Sequence, residues 1–264
     1  MLGFLRHRRR PRLMGTPLPD AWWAIIDRRV PMIRTMSPDD RAKLAGFVQV
    51  LLAEKSFEGC GGLEITDEIR VTIAAQAALP LLGLASPAFY PSLKTILVYP
   101  AAYSSRSPHR NPDGSVSEGF RARLGESWHR GPVVLSWADV VRGGADEDDG
   151  RNVVLHEFAH QLDSEDGSVN GAPPLPSAAR YREWARVLGH EYAELIDDLH
   201  RGHGTLLDPY GSTNPPEFFA VATELFFERP RAMRERYPEL YDQLAEFYGQ
   251  DPAGRGDGTG SSAR

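Results

Sequence analysis

Cysteine is nearly absent from this chain of 264 residues. The single cysteine, Cys60, excludes an intramolecular disulfide and a zinc cage built from several thiolates. Nothing in the sequence therefore requires an oxidising compartment. The length and a hydrophobic content of 41% are sufficient for a substantial core in one large domain.

Long apolar runs are also missing. The longest candidate, Ile73 to Leu84, is interrupted by Gln76 and Pro80, whereas a helix that crosses a bilayer needs about 20 apolar residues. No apolar segment follows the arginines near the start of the chain, so export through a signal peptide is not expected. We therefore expect a cytoplasmic protein without a membrane span.

Positive charge is in the minority, with 30 Lys and Arg against 36 Asp and Glu and a formal net charge of −6. This balance argues against a nucleic-acid partner for the chain as a whole. Residues 1–18 are rich in arginine, and we expect a disordered basic arm there; contact with nucleic acid or an anionic membrane is the alternative. Residues 19–250 are expected to form a single domain, and the Gly/Ser/Asp-rich residues 251–264 a disordered tail.

Helical signals dominate that domain. Apolar residues recur at helical spacing in several segments that follow capping residues or proline, and these segments begin near residues 20, 38, 67, 178, 216 and 240. The helix from residue 38 is predicted to end at the glycines of 59–62, and Pro230 to stop the helix from 216. Strands are predicted at 95–100 and 132–137, with loops at 101–125 and 143–150. We predict an α+β fold, mostly helical around a small twisted β-sheet.

The sequence His156-Glu157-Phe158-Ala159-His160 carries the chemistry. Two histidines four residues apart lie on one face of a helix, so both imidazoles can bind one metal ion, and Glu157 can act as general base toward a metal-activated water. The alternative is a surface helix that happens to carry two histidines. It fits poorly, because the neighbouring residues are apolar nearly all round, which predicts burial.

A catalytic zinc usually has three protein ligands, so one more is needed. Spacing favours Glu217 over Glu224, because a carboxylate in an apolar helix is costly without a nearby cation. The alternative for Glu217 is stabilisation by the helix dipole alone. The remaining downstream candidates stay open at this point; they are His190, Glu191, Glu194, His200 and His203.

The chain resembles the Mlc titration factor A family of bacterial zinc peptidases, whose catalytic core is similar to that of anthrax lethal factor. The matching stretches span roughly residues 20 to 250 and lie at 62–67, 73–77, 131–137, 156–163 and 210–220. The resemblance implies a zincin-like fold with one Zn²⁺ per chain in a cleft, Glu217 as the third ligand beside His156 and His160, and Tyr210 near the metal.

The resemblance also implies roles for the residues around the zinc. Tyr210 is expected to donate a hydrogen bond to the oxyanion of the transition state, while Glu157 transfers the proton. Asp163 and Glu224 are candidates for orienting a ligand imidazole, although a role on the helix surface is equally open. A strand formed by Val133, Val134, Leu135 and Ser136 is expected to pair with an extended peptide substrate.

Two functions from different classes follow. The first is a zinc metallopeptidase that hydrolyses short peptides with an aminopeptidase-like preference. The second is an interaction protein that binds and sequesters a transcriptional repressor of sugar uptake, as the family name implies. A third, other metal-assisted hydrolysis, is weaker: the motif predicts an activated water without specifying the bond that it attacks.

Overall fold

The strands of the described chain form one three-stranded sheet. The computed structural model describes residues 9–101, 131–145 and 149–255. The strands β1 (Ser56–Gly59), β2 (Thr95–Tyr99) and β3 (Val133–Ser136) are parallel in the order β1-β2-β3. Parallel neighbours require a crossover connection, and the helix α4 (Asp67–Ala78) lies within the one between β1 and β2.

Helices form the rest of the fold. A short helix, α1, covers residues 9–14. In chain order the others are α2 (Asp20–Arg29), α3 (Pro38–Glu54), α4, α5 (Trp137–Ala145), α6 (Val153–Asp163), α7 (Ala178–His200), α8 (Pro215–Glu228), α9 (Pro230–Arg236) and α10 (Pro238–Tyr248). The α+β architecture predicted from the sequence is confirmed. None of the helices in the described ranges is long and apolar enough to cross a membrane.

The centre of the fold is formed by α4, α6 and α8. The helix α4 is almost wholly buried. Its small side chains, such as Ala74 and Ala78, let it pack closely against α3, α2 and α6. Every residue of α8 from Phe218 to Glu228 is buried. Because α6 packs along α8, the two segments that carry the predicted metal ligands meet inside the protein rather than on its surface.

The structure describes part of each end for which the sequence predicts disorder. Residues 9–14 are helical, and Arg10 donates hydrogen bonds to both oxygens of Glu54 on α3. Leu18, which follows this helix, is buried. At the other end, Pro252–Gly254 form a 3₁₀ helix in which Ala253 is fully buried. The expectation of disorder is therefore wrong for residues 9–18 and 251–255; its remaining parts, 1–8 and 256–264, lie outside the described residues.

Three further elements differ from the sequence prediction. The helix from residue 38 ends at Glu54, and β1 follows it. Residues 137–145 are helical although Gly143 and Gly144 suggested a turn; a Cβ on Gly143 would lie 2.7 Å from the oxygen of Arg151, so this glycine permits close packing. Pro230, which was predicted only to stop the helix from residue 216, is also the first residue of a new helix, α9. The predicted loop at 101–125 and the acidic residues 146–148 lie almost wholly outside the described ranges.

Candidate metal centre

The helix α6 presents both histidines of the motif to α8. Asn152 caps its first turn, and the buried residues Val154, Leu155, Phe158, Ala159 and Leu162 hold it in the core. His156 and His160 are one turn apart, with ring centroids 4.9 Å from each other. This one helix therefore places two imidazoles side by side on the face that meets α8.

The first turn of α8 carries the carboxylate of Glu217. Asn214 is its N-cap and accepts a hydrogen bond from the backbone N–H of Glu217 at 3.0 Å, while Pro215 and Pro216 occupy the first two positions. Because this start packs beside α6, the Glu217 carboxylate reaches both imidazoles.

Three atoms form a nearly equilateral triangle. His156 Nε2 lies 3.0 Å from Glu217 Oε2, His160 Nε2 lies 3.3 Å from the same oxygen, and the two Nε2 atoms are 3.3 Å apart. For an ion with ligand distances of 2.0–2.1 Å, a tetrahedral site requires donor atoms about 3.3 Å apart. Two imidazoles and one carboxylate also match the donor set of catalytic zinc sites. The residues present fit a metal ion.

The hydrogen bonds within this cluster shift the pKa values of its members. Burial opposes the charged form of His156, yet its hydrogen bonds to Glu217 and Glu224 raise the pKa of the imidazole well above its usual value. Burial likewise opposes ionisation of Glu217, but hydrogen bonds to His156 and His160 leave the pKa of this carboxyl far below its usual range. The site is thus built for a positive charge at its centre.

Glu224 binds the opposite edge of the His156 ring. Its Oε1 lies 2.7 Å from His156 Nδ1, and its Oε2 accepts a hydrogen bond from the backbone N–H of Asn152 at 2.5 Å. A carboxylate at Nδ1 requires a proton there, which leaves Nε2 free to act as a ligand. Glu217 and Glu224, two turns apart on α8, therefore contact different nitrogens of one imidazole.

Asp163 acts at the other end of α6 and contacts the backbone of a loop. It is fully buried and accepts a hydrogen bond from the N–H of Gly171 at 2.9 Å. Burial raises the pKa of this carboxyl. Gly171 in turn lies against the first residue of α8: an added Cβ would approach the Pro215 oxygen to 2.5 Å. In the described chain Asp163 forms no hydrogen bond to either histidine, and it fixes the loop that connects α6 to α7.

Tyr210 lies beside the triangle on an exposed turn. Its ring centroid is 5.9 Å from that of His156, and the side chain is 39% exposed. Asp208 holds the turn, since its Oδ1 accepts the backbone N–H of Tyr210 at 2.8 Å and its Oδ2 lies 2.5 Å from the guanidinium of Arg151. The pair Arg151–Asp208 thus joins the Tyr210 turn to the start of the metal helix.

Glu157 and β3 complete the predicted set. Glu157 follows His156 on α6, is half-buried, and is not part of the triangle. In the described part of the chain β3 pairs with β2 alone, and α6 packs against it. Val133, Leu135 and Ser136 are buried, whereas Val134 is half-buried.

Sequence reasoning missed four residues that support the site. They are Asn152, Glu228, which accepts a hydrogen bond from the Asn152 amide, and the pair Asp208 and Arg151. Asn152 could have been predicted as the N-cap of α6, because asparagine is a typical N-cap directly before an apolar helical segment. The other three depend on distant partners and leave no local pattern.

Comparisons with known proteins agree with this geometry. Residues 4–249 match the family described as glucose-regulated metallo-peptidase M90. An uncharacterized protein of Synechocystis, slr2042, is 43% identical over 246 residues, which cover 92% of this chain and 89% of the relative. Proteins named Mlc titration factor A from Yersinia pestis and Yersinia pseudotuberculosis are 31% identical over 229 residues, covering 86% of this chain and 83% of theirs. The chain therefore belongs to the glucose-regulated metallopeptidase family M90, together with the Mlc titration factor A proteins, which confirms the resemblance found in its motifs.

Proposed function

We propose that the protein is a cytoplasmic zinc metallopeptidase that cleaves short peptides with an aminopeptidase-like preference. The observation that carries the proposal is the triangle of His156, His160 and Glu217, with Glu157 beside it on the same helix. These three residues would hold the ion. When bound, a zinc ion at such a site makes a coordinated water acidic and polarises a carbonyl.

The chain's own residues perform the proton transfers. Glu157 accepts the proton of the attacking water and delivers it to the leaving amine, a role that typically contributes about 10²–10⁴ in rate. Tyr210 donates its phenol O–H to the oxygen that becomes negative in the transition state. Glu224 keeps the proton of His156 on Nδ1, so that Nε2 stays available.

Substrate binding is proposed at the strand Val133–Ser136. In the described chain its outer edge has no strand neighbour, and an extended peptide paired there would be recognised through its backbone. Backbone recognition accommodates many side chains, which suits a peptidase acting on varied short peptides.

The test combines metal analysis with Glu157→Gln. We expect about one zinc per chain in both the natural protein and the variant, because Glu157 is outside the triangle. Hydrolysis of chromogenic aminoacyl and peptidyl substrates should fall by at least about a hundredfold in the variant. Glu235→Gln, an exposed carboxylate on α9, is the matched control and should leave turnover unchanged. Retained turnover in Glu157→Gln would contradict the role of this residue as base.

The second candidate function is binding of a transcriptional regulator. Its basis is the name of the Yersinia relatives, which describes titration of Mlc. Glu157→Gln separates the two functions, since sequestration of a regulator needs the surface of the protein and not its proton transfer. If the variant still relieves repression in cells while hydrolysing nothing, binding is the function that matters there.

A further inference from the structure

Asn152, the residue directly before α6, connects the metal helix to two buried carboxylates of α8. Its side chain is 1% exposed. The oxygen Oδ1 accepts from the backbone N–H groups of Val154 at 3.1 Å and Leu155 at 3.0 Å. The amide nitrogen Nδ2 donates to Glu228 Oε1 at 2.9 Å and makes a longer contact, 3.4 Å, with the backbone oxygen of Gly143. The backbone N–H of Asn152 donates to Glu224 Oε2.

Capping alone does not account for the amide group. A helix N-terminus needs only a side-chain oxygen, and aspartate or serine supplies one as well as asparagine does. What asparagine adds is an N–H donor, and here that donor points at the buried carboxylate of Glu228, which is 5% exposed. A buried carboxylate needs a hydrogen-bond donor or a positive charge beside it. An aspartate at position 152 would remove this donor and place a second negative charge in contact with Glu228.

The same residue governs the orientation of a metal ligand. Glu224 has one oxygen on the backbone of Asn152 and the other on His156 Nδ1 at 2.7 Å. The position of Asn152 therefore determines the position of the carboxylate, and the carboxylate determines the rotation and tautomer of the imidazole. The ring's Nε2 then faces Glu217 at 3.0 Å.

We propose that Asn152 is the positioning residue of the metal centre: it joins the start of α6 to Glu224 and Glu228 so that His156 presents Nε2 to the ion. The inference rests on the proposed metal site. Asn152 touches neither the ion nor the substrate, and it acts through Glu224. Glu217 and the two histidines supply the ligands, whereas Asn152 keeps the two helices in the register that brings them together.

Three variants of the full chain separate this role from capping. Asn152→Ser keeps a capping oxygen and removes the amide. Asn152→Asp keeps the cap but sets a carboxylate against Glu228. The double variant Asn152→Asp/Glu228→Gln exchanges donor and acceptor, so that the glutamine amide donates to the aspartate and the total charge is restored. Ser177→Ala, which removes the cap of α7, is the control for a simple loss of helix stability.

The measurement is the affinity for Zn²⁺ by competition with a chromogenic chelator, with thermal denaturation of the metal-free proteins alongside. We expect Asn152→Asp to bind zinc about 10–100-fold more weakly, Asn152→Ser to be intermediate, and the double variant to recover to within about threefold of the natural protein. The visible spectrum of bound Co²⁺ should change in Asn152→Asp and return in the double variant. Ser177→Ala should lower the melting temperature without changing zinc affinity.

The proposal is overturned if Asn152→Ser binds zinc as tightly as the natural protein, or if the double variant binds no better than Asn152→Asp. Should Asn152→Asp fail to fold, Asn152→Ser still decides the matter by the first criterion, and the double variant decides it by whether it binds zinc within about threefold of the natural protein. If the natural protein itself binds no zinc, the proposed function fails instead, so the two failures are distinguishable.

Discussion

Replacing Glu224 by glutamine should weaken the metal site although the ion does not touch this residue. The carboxylate accepts two hydrogen bonds, from His156 Nδ1 at 2.7 Å and from the backbone N–H of Asn152 at 2.5 Å. A glutamine has one acceptor oxygen and one NH₂ group, so it can satisfy only one of these donors. If the amide oxygen faces His156, its NH₂ group meets the Asn152 N–H; if it faces Asn152, the NH₂ group meets His156 Nδ1.

Both arrangements cost metal affinity. In the first, a buried donor loses its acceptor; in the second, the ring is pushed to the tautomer with its proton on Nε2, the atom that should bind the ion. A hydrogen bond to a charged group is worth about 1.5–3 kcal/mol, and about 1.4 kcal/mol corresponds to a tenfold change in an equilibrium constant. Glu224→Gln should therefore bind zinc about 10–100-fold more weakly.

Competition with a chelator of known zinc affinity measures this loss directly. Glu191→Gln is a suitable control, because it makes the same change at a half-buried carboxylate on α7 outside the metal centre. The control should bind zinc like the natural protein. Zinc binding by Glu224→Gln within about threefold of the natural protein would refute the argument, since it would mean that the tautomer of His156 does not depend on its carboxylate partner.

Two further predictions concern the same centre. Tyr210→Phe should retain its zinc and lose about 10²–10³ in kcat, because one oxyanion donor is removed while the ligand triangle is intact; an unchanged kcat would exclude that role. Zinc binding near pH 7 should release a proton, because the raised pKa of His156 keeps the metal-free imidazole protonated, and this release should vanish as the pH rises through that pKa. The same raised pKa means that protonation of His156 stabilises the metal-free fold fully below pH about 6.5, and that this stabilisation is lost as the pH rises through the higher pKa of the folded protein. Calorimetry in two buffers of different ionisation enthalpy measures the release, and a heat that does not depend on the buffer would contradict it.

Local signals in the sequence predicted most of the helices. Ser37 and Thr66 each cap a helix, and the apolar spacing behind them predicted the buried faces. The strand β1 was missed because Ser56–Gly59 is short and mostly exposed, and it becomes a strand only by pairing with Thr95–Val98, which is remote in the chain. A pattern within one segment contains no information about that partner.

The candidate site shows the same division. His156, Glu157 and His160 follow from one helical motif, whereas the sequence could only rank Glu217 above Glu224. The structure shows that both contact His156, one at Nε2 and one at Nδ1. Which carboxylate faces which nitrogen is determined by how α8 packs against α6, and that packing involves the whole core.

The three atoms of the triangle belong to two helices that share the core, and this links the metal to folding. An ion held there would join α6 to α8 in the native state and have no such site in the unfolded chain. At a free zinc concentration a hundredfold above the dissociation constant, binding adds about 2.7 kcal/mol to the free energy of unfolding. The melting temperature of this protein therefore depends on the free zinc concentration as well as on the amino-acid sequence. Variants are comparable only in buffers that fix the free metal concentration.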